Sequence, residues 1–277
     1  MSDLENPPLD PAAPMGNVTP EIPLPPPSFT PVPGENPSWG GWEIGGIIAV
    51  GMVALFFSVI MVMLLAHRYL YPHEPLLEGA QERPVLLVGA QALAYLFVIG
   101  FMVFLVKRTN PQSFAKAIRW GWPENPWAYL LGGVVLSLTL QLLGHFLPIP
   151  KELPMDRFFR TSLDAWALAV FGVIVAPLME ELFFRGFLYP VLARRLGVAV
   201  SIMLTGLAFA LVHASQLGHA WGPVLIIFLV GVTLTTARAR AKSVAAGWLI
   251  HFAYNGTIFS LMFLATGGFR HMERLSQ

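Results

Sequence analysis

Seven stretches of this chain are long and apolar enough to dictate a membrane-embedded fold. They lie near residues 43–66, 84–106, 128–148, 165–190, 198–214, 222–237 and 244–266. In hydrocarbon no water satisfies a backbone N–H or C=O, so each stretch must be a helix that closes its own hydrogen bonds. About 20 residues of helix cross the core of a bilayer. Charge agrees with this reading: 12% of residues are Asp, Glu, Lys or Arg, about half the share in a soluble domain. The expected fold is all-α, a polytopic transmembrane bundle of about seven to eight helices in a multi-pass integral membrane protein.

The flanks read differently. Residues 1–42 hold half of the chain's 24 prolines, several acidic residues and no Lys or Arg. That excludes the basic and apolar regions of a cleavable signal peptide. Proline at this density removes backbone donors and favours extended chain, so residues 1–42 are expected to be a disordered proline-rich tail whose partner is unknown. Residues 43–266 then form the transmembrane domain and 267–277 a short C-terminal tail. Between the second and third spans, Lys107, Arg108, Lys116 and Arg119 alternate with Phe114 and Trp120, the pattern of a short helix lying on anionic headgroups.

Alternating the loops puts nine cations (at 107–119, 194–195 and 238–242) on one side of the membrane and seven on the other. The positive-inside rule turns the nine, and the N-terminal tail, to the cytoplasm. A net charge of +1 without a basic-aromatic surface argues against nucleic acid as a partner. With no cysteine, a thiol nucleophile or thiolate metal ligand is excluded. The partner that composition implies is the lipid bilayer.

Against this apolar background the fourth span carries Glu180, Glu181 and Arg185. Ionised groups at membrane depth cost about 2.5–3.5 kcal/mol each on the insertion scale, so they persist with a partner or a function. Glu181 and Arg185 are four apart on one helix face and can pair. Glu180 is turned about 100° away and is left for other work. His213 closes the fifth span, and His251 and Asn255 form an i, i+4 pair on the seventh, able to hydrogen-bond one small group. The same residues could instead be polar glue between helices. There is no His-Glu-x-x-His and no Gly-x-Ser-x-Gly, and no span contains the Asp that a paired-aspartate protease needs. A transporter would show two similar halves with broken helices, and this pattern is missing. Gly132, Gly133 and Gly206 read as close helix contacts rather than as a site.

These segments resemble the CAAX protease and bacteriocin-processing (CPBP, or Abi) family of intramembrane endopeptidases. Its Glu-Glu-x-x-x-Arg pattern is matched by Glu180, Glu181 and Arg185, with Gly186 in keeping. Phe-x-x-x-His is matched by Phe209 and His213, and His-x-x-x-Asn by His251 and Asn255. The resemblance covers residues 165–265. It implies a site in a water-filled cavity, with Glu180 as general base for a water lying against His213. His251 and Asn255 would orient the peptide carbonyl or stabilise the oxyanion, and Glu181 and Arg185 would hold the helix face. The reading it favours is an enzyme that cuts a membrane-associated or lipid-modified protein or peptide with no cofactor. The alternative chemistry uses Zn²⁺ on Glu180, His213 and His251, and the alternative function is a non-enzymatic immunity or scaffold protein. A compact seven-span core without a targeting segment reads as bacterial-type, and the expected location is a bacterial cytoplasmic membrane.

Overall fold

The computed structural model describes residues 36–73, 83–150, 152–159 and 161–272. Eight α-helices run through them: α1 Gly41–Tyr69, α2 Pro84–Thr109, the single turn α3 Phe114–Ala117, α4 Pro126–Gly144, α5 Ser162–Leu196, α6 Val198–His213, α7 Trp221–Ala241 and α8 Val244–Ala265. Six of these are long and apolar enough to cross a bilayer: α1, α2, α4, α5, α7 and α8. The all-α, multi-pass expectation therefore holds for these residues, with one difference from the seven expected spans. Helix α6 has 16 residues, which at a rise of about 1.5 Å falls short of a hydrocarbon core about 30 Å thick.

Local signals set where the helices start. Pro84 and Pro126 open α2 and α4, where a missing N–H costs nothing. Thr161 and Asp164 form a capping box at α5, with Thr161 Oγ1 accepting from Asp164 N at 3.1 Å and Asp164 Oδ2 accepting from Thr161 N at 3.2 Å. Asp164 Oδ1 also accepts from Val85 N at 3.3 Å and so ties the start of α2 to the start of α5. Ser243 caps α8 through Ala246 N and donates its hydroxyl to the Gly121 carbonyl.

The helices pack chiefly as pairs, α1 with α2, α4 with α8 and α6 with α7, and α5 touches α2, α6 and α8. Small residues permit the closest crossings. A β-carbon on Gly133 of α4 would lie 2.3 Å from the Ile250 carbonyl of α8, and one on Gly206 of α6 would lie 2.8 Å from Val232 of α7. Gly132, by contrast, faces open space. The outer faces stay apolar, with Met52, Phe56, Phe57 and Leu64 of α1 exposed, as a lipid-facing surface requires.

Packing begins before residue 43. Trp39, assigned to the tail on proline content, is buried, and its Nε1 donates to the Phe187 carbonyl at 3.1 Å. Arg194 donates to the carbonyls of Pro37 and Trp39 at 2.9 and 3.3 Å. One buried indole outweighs the local preference for extended chain. The rest of the expected disordered tail, residues 1–35, lies outside the described residues, as do residues 273–277.

Candidate active site

Helix α5 is not a uniform α-helix. Two π-helical segments, Phe171–Val175 and Leu182–Leu188, flank the α-helical turn Ala176–Glu181 that carries both glutamates. Each precedes a proline, Pro177 or Pro190, that cannot donate to the carbonyl four residues back and whose ring crowds that turn. The wider turns re-aim side chains and carbonyls, as such bulges commonly do at functional sites.

Arg185 and Glu181 are both fully buried. Arg185 Nη1 donates to Glu181 Oε1 at 2.7 Å, Nη2 to the Gly231 carbonyl at 2.9 Å and Nε to Thr235 Oγ1 at 3.2 Å. Its guanidinium also lies 4.7 Å from the centre of the Phe209 ring. A buried charge is tolerated when its hydrogen bonds are filled in this way. Thus the pairing expected from i, i+4 spacing is present, extended by two partners on α7 that no motif announces.

Glu181 Oε1 also stands 3.1 Å from His251 Nδ1. Since the Arg185 partner keeps Glu181 an acceptor, Nδ1 is the donor there. His213 Nδ1 lies 2.8 Å from the Phe209 carbonyl, which can only accept, so this nitrogen donates too. In the neutral ring each histidine then presents the lone pair of Nε2, and both of these atoms face Glu180. His213 Nε2 is 3.7 Å from Glu180 Oε1, and His251 Nε2 is 3.6 Å from Glu180 Oε2. These separations exceed a direct hydrogen bond. Glu180 and His213 keep 19% and 21% of their side-chain surface exposed, whereas Glu181 keeps none. Adjacent in sequence, the two carboxylates are different in kind: Glu181 is enclosed, with Oε1 shared by Arg185 and His251 and Oε2 buried without a hydrogen bond, whereas Glu180 is open.

Phe209 packs between the parts, its ring centre 4.8 Å from that of His213 and 5.7 Å from that of His251. Asn255 makes a contact that its spacing from His251 does not announce. Its Nδ2 donates to the Gly172 carbonyl, in the first π segment, at 2.6 Å. One amide hydrogen is thereby committed to α5 and the second is left over. The residues that spacing did not single out are Thr235, Gly231, Gly172 and Gly247. Of these only Gly247, one turn before His251 on α8, stands at a spacing that could have drawn attention. Among the described residues no group of three or more His, Asp or Glu side chains is arranged to hold a metal ion.

A bundle of six membrane-length helices with charged and polar groups buried at its centre defines a multi-pass membrane protein built around an intramembrane polar site. Residues 162–257 match the family described as type II CAAX prenyl endopeptidase, Rce1-like, and form a domain of that family. The match starts with the first residue of α5 and takes in Glu180, Glu181, Arg185, His213, His251 and Asn255. The chain is also similar to the UPF0177 protein YbdI of Lactococcus lactis subsp. lactis (strain IL1403), with 27% identity over 128 residues. That alignment covers 46% of this chain and 66% of the relative. No solved structure matches.

Proposed function

We propose that this protein is an intramembrane endopeptidase that hydrolyses a peptide bond of a membrane-associated or lipid-modified protein or peptide. The observation that carries the reading is the placement of the open Glu180 carboxylate against Nε2 of both His213 and His251, 3.7 and 3.6 Å away. Family membership over residues 162–257 favours a protease.

In this mechanism a water lies between Glu180 and His213. It donates one hydrogen to the carboxylate and the other to the imidazole lone pair, which leaves an oxygen lone pair for the substrate carbonyl. Glu180 takes the proton as the C–O bond forms and later passes it to the leaving amine. The uncommitted amide hydrogen of Asn255 orients the carbonyl and meets its developing negative charge, joined by the Nε2–H of His251 in its imidazolium form, with Nδ1 held by Glu181. A fixed donor there is worth about 3–4 kcal/mol in comparable hydrolases. Arg185 stays out of the chemistry and holds Glu181. The favoured mechanism routes no step through zinc; in the alternative chemistry Glu180, His213 and His251 would hold the ion, which would supply Lewis-acid activation of the water.

The test is cleavage of a peptide library, with and without prenylated members, by purified protein in liposomes. Wild type and Glu180→Gln are run side by side, with and without a zinc chelator. The expected result is cleavage that survives chelation and falls by about 10²–10⁴-fold in the folded variant. Loss on chelation, restored by zinc, would replace the glutamate mechanism with a metal-dependent one. Equal activity of the two proteins would remove Glu180 from the chemistry.

A further inference from the structure

A cleft of about 230 Å³ runs between α1, α2 and α5, on the flank of Glu180. Met179 and Phe183 form its α5 wall, one residue before Glu180 and one turn after it. Its outer side includes Ile48 and Leu55 of α1, which are exposed on the lipid face. Among the described residues its lining is apolar except where α2 presents Gln91 and Tyr95.

These two polar side chains lie well inside the membrane. Tyr95 stands about 17 Å along a helix of 26 residues, at a rise of about 1.5 Å per residue. Gln91 Nε2 donates to the Tyr95 hydroxyl at 2.9 Å. That bond leaves the phenolic hydrogen to donate and Gln91 Oε1 to accept. Among the described residues nothing accepts from the Tyr95 hydroxyl and nothing donates to Gln91 Oε1. An unmatched donor and acceptor are costly in hydrocarbon. The hydroxyls of Thr233, Thr236 and Thr257 avoid that cost by donating to the carbonyl four residues back.

The Tyr95 ring is held in place by Phe171, with ring centres 5.7 Å and planes 20° apart. Phe171 opens the first π segment, beside the Gly172 whose carbonyl takes the Asn255 amide. The Glu180 carboxylate is near enough for its charge to act on the Tyr95 hydroxyl. The pair therefore lines the cleft and borders the candidate site.

What the pair lacks defines the occupant. A lipid chain offers neither donor nor acceptor, and a lipid ester offers only an acceptor. An extended peptide offers both, because one residue turns its N–H and C=O to the same side. We propose that Gln91 and Tyr95 bind the backbone of an extended, apolar peptide segment in this cleft. Tyr95 donates to a peptide carbonyl, and Gln91 Oε1 accepts the N–H of the same residue. The inference rests on the proposed peptidase reading for its purpose, which is to lay the substrate alongside Glu180. Binding itself does not require cleavage.

The test uses the full-length chain in liposomes with a photoreactive probe, N-acetyl-photoleucine N-methylamide, and mass spectrometry to locate the label. A depsi analogue, in which an ester oxygen replaces the leucine N–H, is the control. The expected result is labelling of cleft residues by the amide, about fivefold weaker with the depsi analogue. Gln91→Leu should label equally with both probes. Tyr95→Phe should keep the preference for the amide but label about fivefold less overall. For a peptide that wild type cleaves, Tyr95→Phe should raise KM more than it lowers kcat. The inference is overturned by equal labelling of wild type with the two probes, by label outside the cleft, or by undiminished labelling of Tyr95→Phe. Because Tyr95→Phe keeps the stack on Phe171, it carries the test if Gln91→Leu misfolds. Cleft labelling without any cleavage would refute the peptidase reading and leave the binding site standing, whereas cleavage without cleft labelling would do the reverse.

Discussion

Gly247 of α8 lies so close to Glu181 of α5 that a β-carbon on it would stand 2.5 Å from Glu181 Oε2. The other oxygen, Oε1, is the one held by Arg185 and His251. A single missing methyl group therefore sets the angle of the buried carboxylate. Gly247→Ala would swing that carboxylate and pull on His251. The expected outcome is a destabilisation of about 1–3 kcal/mol, with a larger proportional loss of peptide cleavage. Thermal unfolding and cleavage rate, measured on the same preparation, check both halves.

Arg185→Met would leave Glu181 without its closest ion partner in an enclosed site. Breaking a buried pair from one side costs about 3–5 kcal/mol, so low yield and a depressed Tm are expected. Adding Glu181→Gln to Arg185→Met should recover part of the loss, because no uncompensated charge then remains. A double variant no more stable than Arg185→Met would show that the guanidinium's bonds to Gly231 and Thr235 matter more than its pairing.

The two histidines should separate in their effects. His213 is partly exposed and its Nδ1 bonds only to the Phe209 carbonyl of its own helix. His251 is buried and joins α8 to α5. His213→Ala is expected to abolish cleavage at little cost in stability. His251→Ala should abolish cleavage and also cost about 1.5–3 kcal/mol, the range for a hydrogen bond to a charged group. Cleavage and Tm for the pair of variants decide it.

Asn255→Asp is nearly isosteric but replaces the donor that faces the Gly172 carbonyl with a second acceptor. Two acceptors 2.6 Å apart repel, so Asn255→Asp is expected to be less stable than Asn255→Ala. Asn255→Ala itself should lose about 1–3 kcal/mol by leaving that carbonyl unpaired. The opposite order in thermal melts would show that Gly172 is satisfied by other means.

Trp39→Ala should destabilise the bundle by about 3–5 kcal/mol, as removal of a buried aromatic does. Trp39→Phe should cost only about 0.5–1.5 kcal/mol for the lost bond to the Phe187 carbonyl. Limited proteolysis between residues 30 and 45 should accelerate in the first variant and change little in the second.

The helices were legible in the sequence because hydrocarbon leaves an apolar backbone no other conformation, and their observed ends fall close to the predicted ones. The six polar residues that the structure brings together at the candidate site stand out in the sequence as well, since ionised and amide groups are conspicuous in such spans and Glu181 and Arg185 sit one helical turn apart. What lay beyond one-dimensional reading was the division of labour among those residues. The Arg185 bonds to Gly231 and Thr235 and the Glu181 contact with His251 cross 46, 50 and 70 residues of chain. Each depends on the rotation and depth of separate helices, which the packing of Gly133 and Gly206 against their neighbours and the prolines of α5 decide. Only that packing encloses Glu181 while leaving Glu180 open and turns Asn255 toward Gly172. Apolar pattern acts along a single helix, whereas a site is made between helices, where close contact alone selects which side chains meet.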